Sequence, residues 1–170
     1  MLIGTSITGA PWTATAEETA IEMAEEDAWE RGDLDLVNRV QAHEWLDGPR
    51  TQSGRVGGDA RALFFDMNAK ALAKPNLTQE EGRPAAWTRV EQVSAPALLI
   101  VGDEDFTALV ERHETLSESM PNAFAVVLEG VAHIPSIERP DLVNSLLLQF
   151  LDALVGDDDE DEEDDENSEG

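Results

Sequence analysis

Apolar residues fall along this chain in two kinds of run. Continuous stretches of strand length occur at Ala97-Leu98-Leu99-Ile100-Val101 and Phe124-Ala125-Val126-Val127-Leu128, and a shorter one, Leu2-Ile3, opens the sequence. Unbroken apolar runs suit strands covered on both faces, the condition of a parallel sheet between helices. Elsewhere the apolar positions recur at helical spacing. Thr15 with Glu18 forms a capping-box signature and opens a helix to about Arg31, where Gly32 breaks it. Asp33 can cap the next helix, in which Leu34, Val37, Val40 and, with drift, Trp45 share a face until Gly48-Pro49. Residues 50–59 are polar and Gly-rich and read as a surface connection; Arg61 to Ala73 is a third helical segment, and Asn76 to Pro84 a loop. Trp87 to Val93 leads through Pro96 into the strongest strand, Thr107 to Met120 is a helix, and Glu138 to Leu154 is an amphipathic helix rich in Leu and Val.

The order is strand, helical block, strand, helix, strand, helix. The last four elements form a crossover unit with a covering helix, which predicts an α/β fold of about three parallel strands. The helical block between the first two strands is too long for a connection and reads as an inserted cap. The expected organisation is a core from residues 1–11 and 87–155, a helical cap or lid at 12–86, and a disordered acidic tail at 156–170, where no apolar residue follows Val155.

Composition sharpens this picture. The length of 170 residues suits one domain with a real core, and the absence of Cys excludes disulfides and thiolate chemistry. The formal charge is −26, from 37 acidic and 11 basic residues. The final stretch from Asp157 holds 11 of the acids and no base, so residues 1–156 still carry −15 and the acidity belongs to the folded part. Such self-repulsion is relieved by screening, which points to a halophilic setting and argues against nucleic acid and anionic membrane as partners. Met1-Leu2-Ile3-Gly4 lacks a basic leader region, and the expected location is cytoplasmic.

The candidate chemistry lies just past the two long apolar runs. Val101 is followed by Gly102-Asp103-Glu104-Asp105, and Leu128 by Gly130-Val131-Ala132-His133-Ile134-Pro135. Ligands and catalytic groups of open α/β sheets sit beyond the carboxyl ends of strands. An acid can hold an imidazole in one tautomer, and the other ring nitrogen can then take a nucleophile's proton. Asp105 and His133 are the expected pair. Asp103, nearer the strand end, is expected to support the turn. The competing role for Asp105 is to cap the helix that begins near Thr107. Ser6 stands in Gly4-Thr5-Ser6-Ile7-Thr8-Gly9, where the second glycine comes one residue too late for Gly-x-Ser-x-Gly and Pro11 interrupts the helix that should follow, so it reads as a loop serine. His43 and His113, flanked by charged residues, read as surface positions, and Trp12, Trp29, Trp45 and Trp87 as core or cap packing. Phosphate loops and metal-ligand spacings are absent, and no cofactor or metal is expected.

The segment Trp87…Val93-x-Ala95-Pro96-Ala97-Leu98-Leu99-Ile100-Val101-Gly102-Asp103-x-Asp105 resembles the part of the α/β-hydrolases that enters the seventh strand and ends at the triad acid. The run Met120-Pro121-Asn122-Ala123, Val126-Val127-Leu128, Gly130-x-Ala132-His133-Ile134-Pro135, Glu138-Arg139-Pro140 resembles their last strand, histidine loop and closing helix, and Leu2–Trp12 the sixth strand entering the lid. The resemblance is nearest to the esterase and enol-lactonase-like branch. It implies a Ser-His-Asp triad with Asp105 as acid and His133 as base, acting on a small-molecule carboxylic ester or lactone. It also implies that five strands, the oxyanion loop and the nucleophile would lie before Met1. The expected protein is then the carboxy-terminal portion of such a hydrolase, a truncated or split gene product inactive alone and able to self-associate through an exposed sheet edge. The alternative is a non-enzymatic binding protein derived from a hydrolase.

Overall fold

The computed structural model describes residues 1–74 and 85–160. Its elements in chain order are β1 (Leu2–Ile3), α1 (Ala16–Glu30), α2 (Leu34–Gln41), a π-helical turn Ala42–Asp47, α3 (Gly58–Leu72), a 3₁₀ turn Trp87–Gln92, β2 (Ala97–Gly102), α4 (Thr107–Ser119), β3 (Ala123–Leu128), α5 (Pro135–Glu138) and α6 (Pro140–Glu160). The three strands form one parallel sheet in the order β1-β2-β3, with Leu2 beside Leu99 and Ala97 to Gly102 beside Ala123 to Leu128.

β2 is central and buried along its whole length, which explains its lack of alternation. Leu98 and Ile100 pack on one face with Leu128, Val131 and Val143, under Leu142, Leu146 and Phe150 of α6. Ala97 and Leu99 pack on the other with Leu116 of α4 and Met120 just beyond it, joined by Trp87 and Val90. A third cluster, Ala42, Leu46 and Phe64, joins the π-helical turn to α3 and reaches Ile134 and Ile137 beyond β3.

The local signals hold at several boundaries. Thr15 and Glu18 form both bonds of the capping box, and Asp33 caps α2 through the Leu36 N–H at 3.0 Å. Other expectations are corrected. The single helix expected from Glu138 is two, because Pro140 disfavours helical backbone at Arg139, whose φ of −137° and ψ of 59° separate α5 from α6. The approach to β2 is a 3₁₀ turn. α6 continues to Glu160, past the expected start of the acidic tail at residue 156. The expected loop at 76–84 and the rest of the tail, 161–170, lie outside the described residues. His113 is buried, not surface: its ring shares the α4 face of Leu109 and Leu116, and the charged neighbours Glu111 and Glu114 occupy the other side of the helix. Arg112 is buried as well, donating to the carbonyls of Thr5 and Pro11 at 3.1 and 3.0 Å.

Candidate active site

The site is assembled by strand register. Gly102 and Leu128 are paired residues at the carboxyl ends of β2 and β3. The ladder continues into the loops, where the Asp103 N–H donates to Leu128 O at 3.1 Å and the Glu104 N–H to Val131 O at 3.0 Å. Two loops leaving neighbouring strands at the same level therefore run side by side, and the side chains of Asp105 and His133 meet between them. His133 Nδ1 lies 3.0 Å from Asp105 Oδ2 and 3.1 Å from Oδ1. A carboxylate can only accept, so Nδ1 carries the shared proton and Nε2 holds the free lone pair of the neutral ring. Asp105 is fully buried, whereas a quarter of the His133 side chain remains exposed.

Asp105 Oδ1 also accepts from the Phe106 N–H at 2.8 Å. Asp105 does not cap α4: the Thr107 N–H donates at 2.7 Å to Glu18 Oε1, a carboxylate from α1. Burial pushes the Glu18 carboxyl up, but the N–H groups of Thr107 and Thr15 outweigh it and hold the group below its ordinary value. Asp103 supports the turn, its Oδ1 accepting from the Gly130 N–H at 2.7 Å. Ser6 is exposed in the loop after β1, and its hydroxyl makes no hydrogen bond to His133 among the described residues.

Several residues at the site were not singled out from the sequence. Gly4 ends β1 against the pair; a Cβ there would stand 2.8 Å from His133 Nδ1 and 3.0 Å from Asp105 Oδ2, at a φ of +48° that disfavours any side chain. Trp45, on the π-helical turn, lies over the imidazole with ring centroids 4.6 Å apart and touches Phe106 at 5.1 Å. Packing was the expected role of the tryptophans, and Trp45 does pack, but against the candidate base. Glu138 Oε1 accepts from the Ala132 N–H at 2.7 Å, next to His133, while its Oε2 pairs with Arg55 at 2.7 Å. Burial raises the Glu138 carboxyl above its ordinary value, against the opposing pull of Ala132 and Arg55. A signal for the arginines was available: Arg50 and Arg55 are two of only 11 bases, in a stretch read as a plain surface connection. His43 Nε2 donates to Thr51 O at 3.0 Å and makes no hydrogen bond to either member of the pair. Among the described residues no group of three His, Asp or Glu side chains could hold a metal ion, and no helix is long and apolar enough to cross a membrane.

No protein-family model matches the chain. It is 28% identical over 107 residues to a provisionally named 2-succinyl-6-hydroxy-2,4-cyclohexadiene-1-carboxylate synthase of Bacillus subtilis, covering 62% of this chain and 35% of that protein. It is 32% identical over 90 residues to a provisionally named esterase/lipase of Haemophilus influenzae, covering 51% of this chain and 31% of that one. Among solved structures, a serine hydrolase from Cycloclasticus zankles superposes with a TM-score of 0.58 at 20% identity, over 90% of this chain and 54% of its own. The chain thus spans about a third of the length of the curated relatives it matches and about half of that solved structure.

Proposed function

The chain is built on part of the α/β-hydrolase fold, and from that premise we propose that Asp105 and His133 are the acid and base of a Ser-His-Asp triad. The substrate is a carboxylic ester or lactone, and the serine and oxyanion donors come from polypeptide outside this sequence. The carrying observation is the Nδ1–carboxylate contact at the paired ends of β2 and β3. It supplies what a triad requires of these two members: a buried acceptor that orients the ring, and an imidazole with its other nitrogen unpartnered among the described residues. In the reaction, His133 Nε2 takes the serine proton as Oγ attacks the ester carbonyl. The imidazolium is stabilised by Asp105 and returns that proton to the leaving alkoxide; the acyl-enzyme is then cleaved by a water that His133 deprotonates in the same way. The names of the Haemophilus and Cycloclasticus proteins favour this class of chemistry. On the same reading, residues 12–86 form the lid over the site, with Trp45 its contact to the base.

Without the nucleophile this chain alone does not turn over p-nitrophenyl esters, since each missing oxyanion donor by itself is worth roughly 10²–10³ in rate. The test pairs the chain with the polypeptide encoded immediately upstream in the same genome and treats the mixture with a fluorophosphonate probe. Labelling of an upstream serine, with ester hydrolysis that His133→Ala abolishes, is the expected result. Hydrolysis by the isolated chain that survives His133→Ala overturns the proposal. A stable monomer that never gains activity favours the binding-protein alternative.

A further inference from the structure

Register sets where the two site loops start, but not where the side chains end up. Asp105 lies three residues past Gly102 and His133 five past Leu128, so freedom accumulates along both loops. Both are tied to one other segment, residues 47–56, which follows the π-helical turn. Arg50 Nη2 donates to the carbonyls of Asp103 at 2.8 Å and of Asp105 itself at 3.1 Å. Arg55 Nη1 donates to the carbonyl of Gly130 at 2.7 Å, and its Nη2 pairs with Glu138, which holds the Ala132 N–H. One loop thus grips the acid-bearing loop with one guanidinium and the histidine-bearing loop with the other.

The gripping loop is itself built around a buried anion. Asp47 is fully buried; its carboxylate takes Arg61 Nη1 and Nη2 at 2.8 to 3.0 Å, the Gly54 N–H at 2.7 Å and the Val56 N–H at 2.9 Å. Its carbonyl accepts from Thr51 Oγ1 and Arg55 Nε. Gly48 closes the approach: with φ of +97°, a Cβ there would stand 2.4 Å from Glu104 O. Resting on the triad reading of Asp105 and His133, we propose that Arg50 and Arg55, anchored through Asp47, are positioning residues that hold the acid–base pair in register. The helical insert then does more than cover the site: it sets the geometry of the proton-transfer pair.

The test needs no nucleophile. In the full chain labelled with ¹⁵N-histidine, exchange of the His133 Nδ1 proton with water reports how often the pair opens. In the parent chain a downfield, slowly exchanging Nδ1–H is expected, and Asp105→Asn removes it. An absent signal, or one unchanged by Asp105→Asn, overturns the pair and the positioning role together. With the pair established, Arg50→Ala/Arg55→Ala speeds exchange by roughly tenfold or more at unchanged far-ultraviolet circular dichroism. Leu116→Ala, which loosens the core between β2 and α4 in a cluster that holds none of the arginines, leaves exchange within about twofold of the parent. If the double variant unfolds, Arg50→Gln and Arg55→Lys alone serve instead, each expected to speed exchange about threefold or more. Exchange equal to the parent in these variants, with the Asp105→Asn response intact, overturns the positioning role and leaves the pair standing.

Discussion

At the residue scale, the site depends on one position having no side chain. Gly4→Ala forces a methyl to within 3.0 Å of both Asp105 and His133 at a positive φ, and strain of this kind costs on the order of 1–3 kcal/mol. The expected result is a lower urea midpoint together with a displaced His133 ring, seen as a changed imidazole shift; a shift unchanged at parent stability contradicts the geometry. Glu44 makes a different prediction. It is buried, its Oε2 has no partner among the described residues, and burial with the nearby Glu25 and Glu22 pushes its carboxyl up to about 8. A carboxyl whose folded value exceeds its unfolded one holds a proton that the unfolded chain has lost. The Glu44 contribution to stability is therefore fully present below about pH 4.5 and is lost as pH rises towards about 8. Glu44→Gln raises the Tm at pH 8 and leaves it unchanged at pH 4, measured by circular dichroism melts. His113 acts oppositely: burial lowers it, so its contribution is present above pH 6.5 and is lost as acid charges the unfolded chain.

At the element scale, the segment around Asp47 behaves as one unit. Burial alone pushes Asp47 up, but Arg61 and the amides of Gly54 and Val56 more than offset that and lower it overall. Asp47→Asn keeps the shape and loses the charge, leaving Arg61 without its partner, and breaking a buried pair in this way costs about 3–5 kcal/mol. Loss should be local first: amide exchange at Gly54 and Val56 accelerates before that of Leu99 or Ile100 in β2. Uniform acceleration across both segments would refute a separate unit. The π-helical turn that carries Trp45 was legible only as a continued helix, because its register change depends on what Leu46 and Asp47 bury against, not on the local spacing of apolar residues.

At the scale of the whole molecule, charge is the dominant feature. A net charge of −26 repels itself over a Debye length of ~10 Å at 0.1 M salt and only ~3 Å at 1 M. Stability should rise steeply with KCl between 0.05 and 2 M, read from urea midpoints at each salt; a flat profile contradicts self-repulsion as a limit on this fold. The sheet imposes a second property. β1 pairs on one side only among the described residues, and Leu148, Leu151 and Val155 of α6 are exposed, apolar surface of the kind that further strands and helices of an α/β-hydrolase fold would cover.

Local pattern was enough to place the three strands along the chain and the two loops that hold Asp105 and His133. Those features rest on short-range physics: apolar runs of strand length, of which β2 is buried throughout while β3 leaves Phe124 and Val127 exposed, and strand-to-loop transitions whose position is local. Asp103, one step past the strand, takes the Gly130 N–H, whereas Asp105 faces His133. What surrounds the pair came from long-range packing. Gly4, Trp45, Arg50, Arg55 and Glu138 reach it from separate elements, and the arginine contacts span 53 to 83 residues of chain. The same limit hid the burial of His113, whose charged neighbours suggested an exposed face until the packing of α4 on β2 fixed the helix rotation. Contacts of this kind are set by how helices rotate and dock on the sheet, and no local pattern encodes that rotation.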